Sequence, residues 1–201
     1  MPMNFQRKNP TTISSWARSI AQTLEKEGYD SKAILKEAGI DEKITLNPDK
    51  RIKLTKMSVL WDLALKKTGD QSFGLSVAEN IHHGTFHALG YALMASTNLY
   101  DAFKRAQNFY RIISNAVEVK LIEEKDYISI NFIPLNGPKP SIPAMDSFFA
   151  GIILFSRDIM KASRQNMKIE MIRPEPKNIE RYHEIFGENI IFSSIQNRFL
   201  F

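Results

Sequence analysis

Apolar residues recur at helical spacing through the first half of the chain. Ile13, Trp16, Ala17, Ile20 and Leu24 form one stripe, which Ser14 or Ser15 can cap and Gly28 can end. In "DSKAILKEAGI", Ala33, Ile34 and Ala38 share a shorter face that Gly39 closes. A proline turn, "NPDKRIKLTK", interrupts before Met57, Leu60, Trp61, Ala64 and Leu65 mark a third helix ending near Gly69. "SFGLSVAENI" continues as a helical segment. His82, His83 and Gly84 lead into "GTFHALGYALMASTNLYDAFKRAQNFYRII", where Phe86, Leu89, Gly90, Leu93 and Met94 form one stripe. Leu99, Ala102, Phe103, Ala106, Tyr110 and Ile113 form the next, with Asn98 placed to cap it and Asp101 in its first turn. The stretch from Gly84 to Ile113 therefore reads as a helical hairpin, with Gly90 allowing another backbone to approach.

Beyond Ile113 the period changes from helical to alternating. Val117, Val119 and Leu121 share a face, as do Ile128, Ile130 and Phe132, and "EEKD" between them is a hairpin turn. Prolines at 134, 138, 140 and 143 break the chain. A long helix then runs from Pro143 to about Ser163, with Met145, Phe148, Phe149, Ile152, Ile153, Ile159 and Met160 on one broad face. "MKIEMI" and "NIIFSS" alternate again around a short helix at "IERYHEIFG", and "RFLF" begins a further strand. The fold class is α+β, a helical amino-terminal part followed by a helix-packed antiparallel sheet.

Composition narrows the classes. The 201 residues are 43% hydrophobic and 24% charged, values ordinary for one globular domain. No uncharged apolar run reaches the roughly 20 residues of a membrane span, and the start lacks the pattern of a secretory signal. With no cysteine there are no disulfides or thiolate metal sites, and a cytoplasmic location fits. The net charge of +5 is scattered among nearly as many acids, so no dedicated nucleic-acid surface is indicated. The first two helices, joined by a glycine turn, have helix-turn-helix form. Lys32, Lys36 and Glu37 on the second supply none of the usual base-reading side chains, and helix packing is the simpler use.

Signatures of catalysis are sparse. There is no phosphate loop, nucleophile elbow, HExxH or acidic metal cluster. His83 and His87 have i, i+4 spacing, but no third ligand is near in sequence and neither a metal nor a cofactor is expected. The aromatics serve as core or as the walls of an apolar pocket. His87 and Tyr91, one turn apart beside Gly90, are the polar pair best placed to fix a ligand's head group, with structural hydrogen bonding as the competing role. The candidate ligand-binding residues are His87, Tyr91, Phe103, Tyr110, Arg111, Phe148 and Phe149. Such a pocket suits a fatty-acid-like or aromatic acid better than a sugar, its polar end meeting His87, Tyr91 or Arg111.

The succession of "SFGLSVAENI", the hairpin segment and "ERYHEIFGENIIFSSIQNRFLF" resembles the amino-terminal effector domain of AraC/XylS-type transcription regulators, in the arabinose-binding-like branch. The likeness runs from about Ile13 to Phe201, with "FGLSVAE", "LGYALMAS" and "YHEIFG" its most specific parts. It implies a flexible leader over 1–12 and one effector-binding domain over 13–201. In that family a DNA-binding domain of roughly a hundred residues follows; it is absent from this chain. The resemblance further implies a non-enzymatic bacterial sensor of a small-molecule effector, a possible homodimer, with no membrane partner and with DNA reached only through that carboxy-terminal helix-turn-helix domain. The rivals are a small catalytic domain using His87 and Tyr91 as acid and base, and a ligand-free dimerisation scaffold. One departure stands out: where relatives often carry Phe-Gly, this chain has Phe86-His87.

Overall fold

The computed structural model describes residues 9–135, 137–159 and 167–201. Its first half is helical: α1 (Ser14–Lys26), α2 (Ser31–Glu37), α3 (Glu42–Thr45), α4 (Leu54–Thr68) and α5 (Phe73–Glu79). The stripe from Ile13 to Leu24 is buried and packs α1 against α2, α3, α4 and α5. Gly28, Gly39 and Gly69 follow α1, α2 and α4 with positive φ, each turning the chain as expected of a glycine stop. The cap of α1 differs from expectation. Ile13 occupies the cap position, while the Ser14 hydroxyl donates to the Asn47 carbonyl and the Ser15 hydroxyl to the Thr85 carbonyl. Both serines tie α1 to other segments instead of closing its own first turn.

A short antiparallel pair, β1 (Thr11–Ile13) and β2 (Arg51–Lys53), staples the start of α1 to the start of α4. It places Thr11 and Thr12, assigned above to the leader, in a strand; residues 1–8 of that leader lie outside the described residues. The proline turn before α4 therefore also carries a strand.

The hairpin follows as a 3-10 turn (His83–Phe86), α6 (His87–Met94) and α7 (Leu99–Phe109). The Asn98 side chain accepts from the Asp101 N–H at 2.9 Å, the cap anticipated from the sequence. A Cβ at Gly90 would collide with the His83 carbonyl oxygen, which is why only glycine lets the turn fold back onto α6. Phe86 and His87 do not continue into α6 as one regular helix: His87 has φ +52° and ψ −138°, a corner separating the turn from the helix.

The second half forms a five-stranded sheet from β3 (Val117–Glu123), β4 (Ile128–Pro134), β5 (Lys168–Glu170), β6 (Ile190–Ile191) and β7 (Arg198–Leu200), in the order β3-β4-β7-β5-β6. Val119 pairs with Phe132 and Leu121 with Ile130, so the two apolar faces read from alternation meet in register. The sheet is mixed and not wholly antiparallel: β5 and β6 run parallel, joined across α9 (Ile179–Phe186). Helix α8 (Ile142–Ile159) lies over the sheet and packs on α4, α5, α6 and α9. Met160 and the expected helix end near Ser163 lie outside the described residues. Phe149 stacks on Phe199 at 4.6 Å and meets Phe132 edge-on at 5.1 Å, locking α8 to the sheet. A Cβ at Gly74 would collide with the Pro143 carbonyl oxygen, so α5 can seat against the first turn of α8 only with glycine there.

Candidate functional site

The inner stripes of α6 and α7 do not close fully on α8 and the sheet. They leave a cavity with an empty volume of about 620 Å³, counting its open mouth. Phe86, Leu89 and Leu93 wall it from the turn and α6, and Leu99, Ala102, Phe103, Ala106, Tyr110 and Ile113 from α7 and the turn after it. Ile130 and Phe132 of β4 form its floor, and Phe148, Ile152, Phe155 and Ser156 of α8 its far side. Leu93, Leu99, Ala106, Ile152 and Phe155 are only partly buried, so the cavity meets solvent between α6, α7 and α8.

The lining is almost wholly hydrocarbon and aromatic. Its side-chain polar atoms are the hydroxyls of Tyr110 and Ser156, and Ser156 already donates to the Ile153 carbonyl at 2.8 Å. Burial drives the Tyr110 phenol far above its ordinary pKa, so it is a neutral donor at any physiological pH. Among the described residues this lining brings together no nucleophile–base pair and no convergent carboxylates. It can hold an apolar body and exclude water from it.

Of the seven residues singled out from the sequence, Phe103, Tyr110 and Phe148 line this cavity. Phe149, one residue further along α8, is fully buried against Phe199 and faces the core. The three polar or charged residues stand apart from the lining. Tyr91 is 61% exposed on the outer side of α6. Arg111 is exposed beside a shallow groove formed with Gln107, Asn108 and the outer edge of β3. The His87 ring turns toward α1, its Nε2 lying 3.3 Å from the Ser15 hydroxyl. Since Ser15 gives its proton to the Thr85 carbonyl at 2.7 Å, His87 donates through Nε2. His83 sits instead in the 3-10 turn with its ring 5.9 Å from Phe155, so the i, i+4 spacing of the two histidines does not bring them onto one helical face. Ile152 and Phe155 carry the signal that would have completed the wall: with Phe148 they stand at i, i+4 and i+7.

The opposite face of α8 is closed by charge. Asp146 is fully buried and accepts from both the Arg173 guanidinium and the Tyr182 hydroxyl, the latter at 2.7 Å. Arg173 in turn lies over the Tyr182 ring, 4.9 Å from its centroid. Burial pushes the Asp146 carboxyl up to about 6 against the opposing pull of Arg173 and Tyr182. Asp146 escaped the sequence reading; its signal was one acid inside the otherwise apolar "IPAMDSFFAGIILF".

This domain of five amino-terminal helices, a helical hairpin and a helix-backed mixed sheet enclosing an apolar cavity has the form of a ligand-sensing module. The chain belongs to the family described as the amino-terminal arabinose-binding domain of AraC transcription regulators, whose model matches residues 28–201. It is a regulatory, effector-binding domain of the AraC type. The chain is 22% identical over 189 residues to the ornithine utilization regulator of Pseudomonas aeruginosa, an alignment covering 92% of this chain and 55% of that protein. The crystal structure of the transcriptional regulator CdpR from Pseudomonas aeruginosa shares the fold, with a TM-score of 0.54 and 13% identity over 93% of this chain and 54% of that one. The chain thus spans about half the length of these relatives. Among the described residues no helix is long and apolar enough to cross a membrane.

Proposed function

We propose that the chain senses an elongated, largely apolar small molecule in the cavity between α6, α7, α8 and β4. Occupancy of that cavity passes to a DNA-binding helix-turn-helix domain carried elsewhere in the full-length regulator. The observation that carries this reading is the lining itself: of the fifteen described residues that surround the space, only Tyr110 and Ser156 bring a side-chain polar atom to it. A sugar, despite the family's name, would lose the hydrogen bonds of nearly all its hydroxyls there, whereas an alkyl or aromatic body loses nothing by leaving water. Arg111 and Tyr91 lie away from the lining, which removes the simplest anchors for an acid; the hydrophobic body is the part of the fatty-acid or aromatic-acid expectation that the cavity favours.

The action is regulatory and not catalytic. His87 is engaged with Ser15 and Tyr91 faces solvent, so the pair needed for acid–base chemistry does not converge on a common substrate position. An effector shifts a regulator only through differential affinity for two arrangements, and coupling of about 1–3 kcal/mol is enough. The cavity is bounded by a hairpin on one side and by α8 on the other, so filling it changes how these elements pack. Phe109 and Ile112, exposed at the end of α7 and the turn after it, offer an apolar contact for a homodimer in a cytoplasmic regulator. Sedimentation at high concentration, with both replaced by serine as control, tests that part.

The test of the sensing reading is a thermal-shift screen of small molecules against the wild-type chain and Ala106→Phe, whose added ring fills the mouth of the cavity. Effectors raise the midpoint of the wild type and leave the variant unmoved. Equal shifts in both proteins would place binding elsewhere, and turnover of a hit would favour an enzyme.

A further inference from the structure

A second, smaller space, about 410 Å³ when its opening to solvent is counted, lies behind the first; Tyr110 and Phe148 line both. The two rings meet edge-on at 5.1 Å and form the partition between the spaces. Chemically the second space is unlike the first. Trp16 lines it, is only 6% exposed, and its indole N–H has no hydrogen-bond partner among the described residues. The buried Ser141 hydroxyl on the same lining also lacks a partner. The Tyr110 hydroxyl makes no hydrogen bond among the described residues. Of the other hydroxyls on the lining, Ser58 donates to the Leu54 carbonyl and Thr12 to the Ile113 carbonyl, while Ser114 accepts from the Ala116 N–H.

Unpaired buried donors are uncommon because each has given up water without replacement. Two around one cavity, with the Tyr110 side chain beside them, call for an acceptor inside it. An indole N–H can only donate, and burial keeps the Tyr110 phenol protonated. Among the described residues no Asp, Glu, Lys, Arg or His lines this space, so an ionised head group would find no counter-charge there.

We propose that this second cavity is the head-group half of the effector site. It takes an uncharged hydrogen-bond acceptor, the carbonyl of an amide, ester or ketone, whose apolar chain occupies the first cavity. The inference rests on the sensing role of the apolar cavity and adds to it the chemical class of the ligand: a neutral carbonyl amphiphile and not a free acid. Trp16 and either Ser141 or Tyr110 donate to the carbonyl oxygen. To span both spaces the ligand displaces the Phe148 ring from the partition, and so acts directly on α8.

Three eight-carbon probes of matched length separate the possibilities: octanamide, octanoate at pH 8 and n-octane, titrated into the chain by calorimetry. Trp16 emission is followed in parallel in a Trp61→Phe background, where it is the sole tryptophan. Octanamide is expected to bind more than about tenfold tighter than octanoate, which enters only by burying an unpaired charge, and to change Trp16 emission. Trp16→Phe and at least one of Tyr110→Phe and Ser141→Ala are expected to weaken octanamide about fivefold each, while leaving n-octane unchanged. Tyr110→Phe and Ser141→Ala each remove one hydroxyl and nothing else, so the test stands if Trp16→Phe does not fold. Octanoate binding as tightly as octanamide, or octanamide affinity indifferent to all three substitutions, overturns the head-group assignment while leaving the apolar cavity as a site. Failure of n-octane and octanamide alike to bind overturns both.

Discussion

Asp146 and Phe148 are two residues apart on α8 and therefore about 200° apart around its axis. They meet opposite surroundings. On the Asp146 side, a buried acid, Arg173 and Tyr182 interlock α8 with the segment after β5 and with α9. On the Phe148 side, Ile152 and Phe155 face the unfilled cavity against α6 and α7. The buried ion cluster has directional partners and one geometry; the apolar face has contacts that can be rearranged at little cost if something fills the gap. A helix held on one side and free to repack on the other is suited to report whether the cavity is occupied. The difference also separates two kinds of mutation, those that weaken the fold whatever is bound and those that alter the response to effector.

The largest effect is expected on the locked face. Arg173→Met leaves the Asp146 carboxyl buried without its cation and should cost about 3–5 kcal/mol in urea unfolding, equally with and without effector. A loss well below that range, or one that effector restores selectively, would mean that this face is not a fixed anchor.

Acidity probes the same cluster more gently. Asp146 has its folded pKa raised to about 6 from the ordinary 3.8, so the folded state holds a proton that the unfolded state releases between those values. Its contribution is fully present below pH 4 and is lost as pH rises through 6. At about 1.4 kcal/mol per pH unit the total is about 3 kcal/mol. Urea midpoints of the wild type against Asp146→Asn isolate this component, because the variant lacks the titrating group. A wild-type curve parallel to that of Asp146→Asn from pH 4 to 7 would refute it.

Cavity substitutions are expected to be mild for the fold and severe for response. Leu93→Ala removes a partly exposed wall and should cost about 1 kcal/mol, below the usual range for a fully buried leucine, while weakening effector binding measured by calorimetry. The smallest effect is at the corner. His87→Gly relieves a side chain held at φ +52° and loses the Ser15 hydrogen bond, opposing contributions that leave stability within about 1 kcal/mol of wild type. A larger loss would make the Ser15–His87 contact a principal tie between α1 and the hairpin.

The segments that signalled the family turn out to be packing devices. In "FGLSVAE", Gly74 lets α5 meet the carbonyl of Pro143; in "LGYALMAS", Gly90 lets α6 meet that of His83. In "YHEIFG", Tyr182 completes the Asp146 cluster and Gly187 turns the chain at φ +79°. They identify the scaffold because they build it, and they say little about the ligand. The stripes of the hairpin were legible because helical periodicity marks which face is apolar. Whether two apolar faces close or leave a gap depends on the fit of side chains far apart in sequence, which periodicity does not carry. The same limit hid Arg173, whose partner is 27 residues away, and the parallel pairing of β5 with β6, since alternation has no direction. Strands β1 and β2 were missed because three residues, one set reading Arg-Ile-Lys, are too short to show a period.

Effector is expected to enter the space between the hairpin and α8. Methyl-resolved NMR of the chain, titrated with a compound that stabilises the wild type but not Ala106→Phe, tests it most directly. Saturable shifts are expected at the methyls of Leu89, Leu93, Ile113, Ile130 and Ile152, with those of Ile20 and Leu35 in the amino-terminal helices unmoved. Shifts confined to Val117 and Ile122 at the outer edge of β3, with the cavity methyls unchanged, would contradict it.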